Sequence, residues 1–363
     1  MTESTRTSAL ASRHRDLGSG LEDWNGMGTA WSYHSDPNDE HDAVRDSAGM
    51  FDMSPLKKVF LRGPDASRVA DHVITRDVTR VEPGMSAYGA VLTEQGTVCD
   101  DAIISNNGNG EWMHCHGSGE SMERLRESAE GFDVDIELDD DLHDLSVQGP
   151  KALTFLDAHT PIDLSSLRYF EHEATELFGY PCRISRTGYS GERGYEVFAN
   201  ADVVCNIWDE LTGLGVMPCS FASLDKARIE AALLFFGYDM TPDHTPWEVG
   251  LGFTINRNKG EFRGKAAALA SEQNPRFIGA GISSVTEDPW AGGETLRHNG
   301  TDVGTLNSPC WSHRMNKSLA LVHLDPTIAQ PGTELEVQGE DFSGQATVEA
   351  IPFFDPSKSR THV

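Results

Sequence analysis

The chain has 363 residues, enough for two to three domains at roughly 150 residues each and for a core that needs no disulfide or metal staple. Its net charge of −28 repels nucleic-acid phosphate and anionic lipid, which excludes a generic DNA, RNA or membrane-surface binder. Hydrophobic residues make up 38%, mean hydropathy is −0.41, and no run nears the roughly 18 apolar residues of a membrane span, so a soluble protein is expected.

Residues 1–20 are polar and expected to be disordered; they contain no apolar leader core, which makes the cytoplasm the expected compartment. A helix is expected over Asp39–Val44, with acids in its first turn, ending near Gly49. Lys58-Val-Phe-Leu-Arg62 alternates as a strand, and Gly63-Pro64 then opens a helix over Ser67–Ile74. The same order recurs: strand Leu145–Gln148, Gly149-Pro150, helix through Leu156. Glycine permits the tight turn, and proline suits the first helical turn because its missing N–H costs nothing there. Two copies of one pattern suggest two related α+β units.

Between the copies lie strands Tyr88–Leu92 and Asp101–Ile104 around the turn Glu94-Gln95-Gly96, then an amphipathic helix over Met122–Glu130. After residue 180 the strand Cys182–Ser185 precedes helices at Asn206–Leu214 and Phe221–Phe236. Beyond about 275 the texture changes to short strands (Ile278–Ser283, Gly304–Leu306, Leu319–Leu324, Glu334–Val337, Gln345–Ala350) between Gly, Pro and Asn turns, the pattern of a small β-barrel or sandwich. The breaker-rich stretch Ser271–Arg276 marks the boundary.

Six cysteines without a C-x-x-C pair read as buried free thiols in a reducing compartment. Scattered acids with only 8 Lys against 21 Arg suit a halophilic acidic surface. No Walker loop, dinucleotide fingerprint, nucleophile elbow or HExxH is present. In Gly96-Thr-Val-Cys-Asp100-Asp101, strand alternation sends the two carboxylates to opposite faces. Ser185-Arg-Thr-Gly-Tyr-Ser-Gly-Glu-Arg-Gly-Tyr-Glu196 is a strand, a glycine-punctuated turn and a second strand; its glycines serve a tight hairpin or a backbone that approaches a flat ligand. His114 and His116 share a strand face, but no third ligand is visible nearby, so no metal site is expected. Trp24, Trp31 and Tyr33 read as core or rim aromatics, or as a cation–π cage for a methylated onium substrate.

These segments, with Gly49-Met-Phe-Asp-Met-Ser54, Val147-Gln-Gly-Pro-Lys-Ala152, Ala227-Arg-Ile-Glu-Ala231, Thr245-Pro-Trp-Glu-Val-Gly-Leu-Gly252 and Phe262-Arg-Gly-Lys265, stand in an order that resembles the aminomethyltransferase (glycine-cleavage T-protein) superfamily. The resemblance implies two related α+β folate-binding units within residues 21–270 and a C-terminal β-barrel over 276–355, arranged around a central tetrahydrofolate site. It implies that Asp101 is the catalytic carboxylate near the reactive pterin nitrogens and that Glu196 accepts the pterin N–H groups. Tyr88 and Tyr189 would line the pterin, Arg228 would hold the pteridine edge or the p-aminobenzoyl-glutamate side, and His116 takes the place of the family's cofactor-facing asparagine.

Residues 23–37 and Pro55-Leu56 depart from T-proteins that act on a lipoyl carrier. They favour a tetrahydrofolate-dependent demethylase that moves a methyl group from a small N-, S- or O-methylated compound and yields 5-methyltetrahydrofolate. The alternative is a true T-protein that makes 5,10-methylenetetrahydrofolate from an aminomethylated lipoyl carrier protein. A more remote alternative, a folate-binding iron–sulfur assembly protein, lacks its signature cysteine: the corresponding stretch reads Lys259-Gly-Glu-Phe-Arg-Gly-Lys265.

Overall fold

The computed structural model describes residues 5–362. Helix α1 (Ala11–Asp16) and a hairpin of β1 (Glu22–Trp24) and β2 (Met27–Thr29) lead into α2 (Pro37–Asp46) and β3 (Gly49–Asp52). The first unit follows: β4 (Lys57–Arg62), α3 (Ala66–Val73), β5 (Ser86–Leu92), β6 (Val98–Gly108), β7 (Glu111–His116), α4 (Ser121–Ser128) and β8 (Asp135–Leu138). The second has the same order of elements: β9 (Leu142–Gln148), α5 (Ala152–Leu156), β10 (His172–Leu177), β11 (Tyr180–Ser185), β12 (Gly194–Asn200), α6 (Ala201–Gly213) and β13 (Met217–Pro218).

The sheets repeat as well. The first has strand order β5-β6-β7-β4-β8 and the second β10-β11-β12-β9-β3-β13, with β3 inserted before the last strand. Each unit has its own apolar core, one around Val69, Val91 and Ile104, the other around Leu145, Val197 and Trp208. Both Gly-Pro turns need their glycine. Gly63 and Gly149 have φ of +124° and +134°, and an added Cβ would meet the carbonyl oxygens of Asp133 at 2.7 Å and Ser47 at 2.5 Å.

Helices α7 (Phe221–Glu230) and α8 (Lys265–Ser271) connect to a closed barrel of β14 (Ile278–Ser284), β15 (Thr295–His298), β16 (Thr301–Ser312), β17 (Lys317–Leu324), β18 (Glu334–Gln338) and β19 (Ser343–Glu349). Strand β15 escaped the sequence pattern; it is four residues long and bulged against β16. Helix α7 stops at Glu230, short of the expected Phe236, because Ala232 turns left-handed at φ +54° and the Leu233 N–H folds back onto the Arg228 carbonyl.

The expectation of disorder over residues 1–20 fails from Thr5 onward, within the described residues. Leu10 is fully buried, and the α1 residue His14 lies in a closed chain of hydrogen bonds: Tyr33 Oη to Nδ1 at 2.8 Å, and Nε2 to the Asp52 carboxylate at 2.9 Å. A few buried contacts hold a segment whose composition is mostly polar. No helix among the described residues is long and apolar enough to cross a membrane.

Candidate active site

A cavity of about 870 Å³ opens where both sheets, α7, the barrel and the C-terminal segment meet. The first sheet supplies Tyr88 from β5, Asp101 and Ile103 from β6, and Met113 and Cys115 from β7. The second supplies Ser185, Thr187, Tyr189 and Glu196 from β11, β12 and the turn between them.

Alternation along β6 operates as expected. Asp101 faces the cavity, and its Oδ2 accepts a hydrogen bond from Tyr88 Oη at 2.9 Å. Asp100 is fully buried and does not line the cavity: Oδ2 bonds His116 Nδ1 at 2.8 Å and the Ser121 N–H at 3.1 Å, and Oδ1 takes the Asp101 N–H at 2.9 Å. The two carboxyls therefore titrate apart. Burial, and next the charge of Asp100, push Asp101 up to about 7, against the hydrogen bond from Tyr88. Burial opposes ionisation of Asp100 too, but His116 and Ser121 bring it below the usual carboxylate range. Tyr88 in turn stacks on Phe253, with ring centroids 6.4 Å apart.

Glu196 lies on β12 opposite Ser146 of β9 and Ser185 of β11, 8% exposed, with Thr187 Oγ1 donating to it. Burial raises its pKa; Thr187 and the Lys58 ammonium work against that rise. Neither Asp101 nor Glu196 is in an ion pair among the described residues. Two buried carboxyls that each hold one hydroxyl donor and no ion-pair partner among the described residues suit a ligand edge rich in N–H donors, which is the chemistry of the pterin amino-pyrimidinone.

The glycines between β11 and β12 serve packing. A Cβ on Gly188 or on Gly194 would fall 2.1 Å from Gln148 Oε1, and Gly191 has φ +76°. Gln148 lies between them, accepting from Ser190 Oγ at 2.8 Å and donating to Ser146 Oγ at 2.9 Å. The motif is a tight hairpin wrapped around one amide. Tyr189 lines the cavity, anchored by its hydroxyl to the Leu234 carbonyl.

Three expected assignments change. His116 borders the cavity at the end of β7, but its ring is turned to Asp100. Met113 and Cys115 line the cavity and His114 does not, as period-two alternation requires; His116, at the strand's end, touches the rim while its Nδ1 is held by Asp100. Arg228 reaches the cavity wall, yet its guanidinium already serves the protein: Nε to Asp225 at 2.8 Å, Nη1 to Asp239 at 2.6 Å and Nη2 to Ser308 Oγ at 2.9 Å. It pins α7 to the following loop and to β16. Tyr33 is outside the cavity, bonded to His14, while Trp24 and Trp31 line it. Those two indoles pack on Phe221 with centroids 5.2 and 5.3 Å away, which forms an apolar wall.

Sequence reading missed Lys58 and Asp144. Lys58 is fully buried, and its Nζ donates to the carbonyls of Ser54 at 2.9 Å and Leu56 at 2.7 Å. Burial lowers its pKa, while burial and the charge of Glu196 raise that of Asp144. This ionisable pair lies behind Glu196. The lone signal was a lysine next to the apolar run Val59-Phe-Leu61 of β4, directly across from Cys115 in the β4–β7 register. All six cysteines are free thiols, but only Cys99 and Cys219 are buried; the expectation of burial fails for Cys115, Cys182, Cys205 and Cys310, which are partly exposed.

The chain matches the GCVT N-terminal domain over residues 10–259 and the glycine cleavage T-protein C-terminal barrel domain over residues 278–355. It is 43% identical to a heme-dependent oxidative N-demethylase gamma subunit of Ectopseudomonas mendocina, over 99% of each chain. It is 31% identical to an aminomethyltransferase of Streptomyces coelicolor, over 98% of this chain and 99% of the other. Among solved structures, glycine cleavage system aminomethyltransferase T from Bartonella henselae superposes with a TM-score of 0.89 at 25% identity, covering 96% of this chain and 98% of that one. With the doubled α+β unit, the terminal barrel and the carboxylate-lined cavity between them, these matches show that the chain belongs to the glycine-cleavage T-protein family of folate-dependent one-carbon transferases.

Proposed function

We propose that this protein transfers a one-carbon unit released from a small N-methylated amine to tetrahydrofolate, as one subunit of a larger N-demethylase. The observation that carries the reading is Asp101, a buried carboxyl raised to about 7 in a cavity that is also lined by Glu196, a second buried carboxyl without an ion-pair partner among the described residues. The preference for an N-methyl donor over S- or O-methyl compounds rests on the 43% identical N-demethylase subunit.

Bound tetrahydrofolate supplies the nucleophilic nitrogens that take the carbon. Glu196 accepts N–H donors of the pterin edge, and Thr187 holds its carboxylate in place. Asp101 takes up the proton that leaves nitrogen as the new C–N bond forms, and Tyr88 fixes the acceptor oxygen through its hydroxyl. The wall of Trp24, Trp31 and Phe221 excludes water and orients the donor. A carbon removed from an amine by oxidation on another subunit arrives at the aldehyde level and condenses with two folate nitrogens, its oxygen leaving as water, to give 5,10-methylenetetrahydrofolate; a carbon moved as an intact methyl group, with the demethylated amine as leaving group, yields 5-methyltetrahydrofolate. The word "oxidative" in the relative's name favours the first product over the second.

The test is to incubate the chain with tetrahydrofolate and either formaldehyde or a panel of methylated amines, and to read products by mass. The expected result is acceleration of methylene product over the uncatalysed condensation, lost in Asp101→Asn. Methyl product formed directly from a methylated donor would replace the aldehyde-level reading with methyl transfer. The similarity to aminomethyltransferases supports a second reading, in which the donor is an aminomethylated lipoyl carrier. Tetrahydrofolate-dependent ammonia release from that carrier would establish it.

A further inference from the structure

Helix α2, the end of α7 and the end of β16 are drawn together by one carboxylate. Glu230 is 1% exposed. Its Oε2 accepts from His41 Nε2 at 2.9 Å and from Arg45 Nε and Nη2 at 3.1 and 2.7 Å, and its Oε1 accepts from Ser312 Oγ at 2.6 Å. Because Oε2 already accepts two bonds from the Arg45 guanidinium, it is an acceptor toward His41 as well, so His41 carries its ring proton on Nε2 and presents a lone pair at Nδ1. That Nδ1 is shut off from solvent and has no hydrogen-bond partner among the described residues.

The same arrangement recurs at His313, in the turn between β16 and β17. Its Nε2 lies 2.9 Å from Asp42 Oδ1, and its Nδ1 is likewise buried and without a partner among the described residues. The two imidazoles lie edge to face with centroids 5.2 Å apart. One ligand atom from each of His41, Asp42 and His313 lies within 4.8 Å of the other two. Buried imidazole lone pairs with no donor call for an electron-pair acceptor. Glu230, which fixes the far ring nitrogen of His41, is the usual kind of outer support for a metal-binding histidine.

We propose that His41, Asp42 and His313 bind a divalent first-row transition ion of the zinc class, which ties α2 to the barrel. Two imidazoles and one carboxylate suit such an ion, whereas magnesium and calcium demand more oxygen ligands. His41 ligates through Nδ1, because Glu230 occupies Nε2. With bonds of about 2.0–2.1 Å, tetrahedral ligand atoms stand about 3.3 Å apart, so the site tightens on loading. His41 is held by Glu230; His313, on a turn and with its side chain 22% exposed, moves. Arg314 Nη1, 2.7 Å from Asp42 Oδ1, is the competing cation, and its two bonds to Asp46 keep it in place when Asp42 turns to the metal. Asp42 is 43% exposed, which leaves the fourth position to water. The site lies outside the folate cavity: none of the three residues lines it.

To test this, the full chain is stripped with chelator and titrated with Zn²⁺ against a chromophoric competitor, then with Co²⁺ while the visible spectrum is recorded. One equivalent of Zn²⁺ should bind and raise the melting temperature, and Co²⁺ should give d–d bands without a thiolate charge-transfer band. His313→Gln, a change confined to a turn, should weaken Zn²⁺ at least about tenfold and abolish the thermal shift. His41→Gln should do the same; if loss of the Glu230 contact prevents folding, His313→Gln alone decides. Absence of stoichiometric binding, an unchanged affinity in His313→Gln, or a thiolate band that places the ion at the cysteines would overturn the proposal.

Discussion

The two α+β units share element order, sheet topology and a strained Gly-Pro turn, yet they hold their cavity-facing carboxyls differently. In the first, Asp101 sits beside a second carboxylate in the chain and leans on a tyrosine. In the second, Glu196 leans on a threonine, with a lysine ammonium behind it. Burial raises both, but in the first unit the charge of Asp100 adds to burial, whereas in the second Lys58 opposes it. Under the proposed function, the first unit offers a group that exchanges its proton near neutral pH, and the second an acceptor for ligand N–H groups. A duplicated scaffold supplies two walls; the nearest charge decides what each wall does.

The largest expected effect tests the first wall. Asp101→Asn should lower kcat by about 10²-fold or more while tetrahydrofolate affinity moves little. Because Asp101 titrates at about 7, a base there is protonated below that pH and competent above it. The wild-type rate should climb with pH through about 7, and the variant should lose that limb. A retained limb would assign the titration to another group.

Glu196→Gln tests the second wall and should act on binding. An acceptor facing N–H groups gains an NH₂ of its own, a loss of roughly 1.5–3 kcal/mol in tetrahydrofolate affinity. The check is a thermal-shift titration, since ligand at a hundredfold excess over Kd adds about 2.7 kcal/mol of stability. If Glu196→Gln lowers kcat at saturating folate instead, the division of labour is reversed.

Asp100→Asn asks whether the charge beside Asp101 matters. The buried bonds to His116 and Ser121 imply a stability loss of roughly 1–3 kcal/mol. The Asp100 pKa is depressed in the folded state, so its contribution is present above the unfolded pKa and fades as pH falls through the folded one. The variant's melting temperature should thus fall most near neutrality and converge with wild type in acid. With one neighbouring charge removed, the rate limb assigned to Asp101 should move to lower pH.

The smallest effect concerns the surface common to both units. With 57 acids against 29 bases, screening relieves net repulsion, so the melting temperature should rise by a few degrees from low to molar salt. A flat curve would show that surface ion pairs such as Arg314 with Asp42 and Asp46 already balance the field.

Local chemistry was legible in the sequence. Gly-Pro at 63–64 and 149–150 marked the duplicated unit, short strands between turns marked the barrel, and period-two alternation separated Asp100 from Asp101. These features depend on neighbours within a few residues. Tertiary structure alone decided the rest. It turned His116 to Asp100, committed Arg228 to Asp225, Asp239 and Ser308, placed Tyr33 on His14, and buried Lys58 and Asp144 behind Glu196. Arg228 and Ser308 lie 80 positions apart, and His41 and Glu230 lie 189 apart. No local period encodes a partner at such separation; the sheet register and the docking of the barrel choose it, because a buried polar group must take whatever partner packing brings within reach.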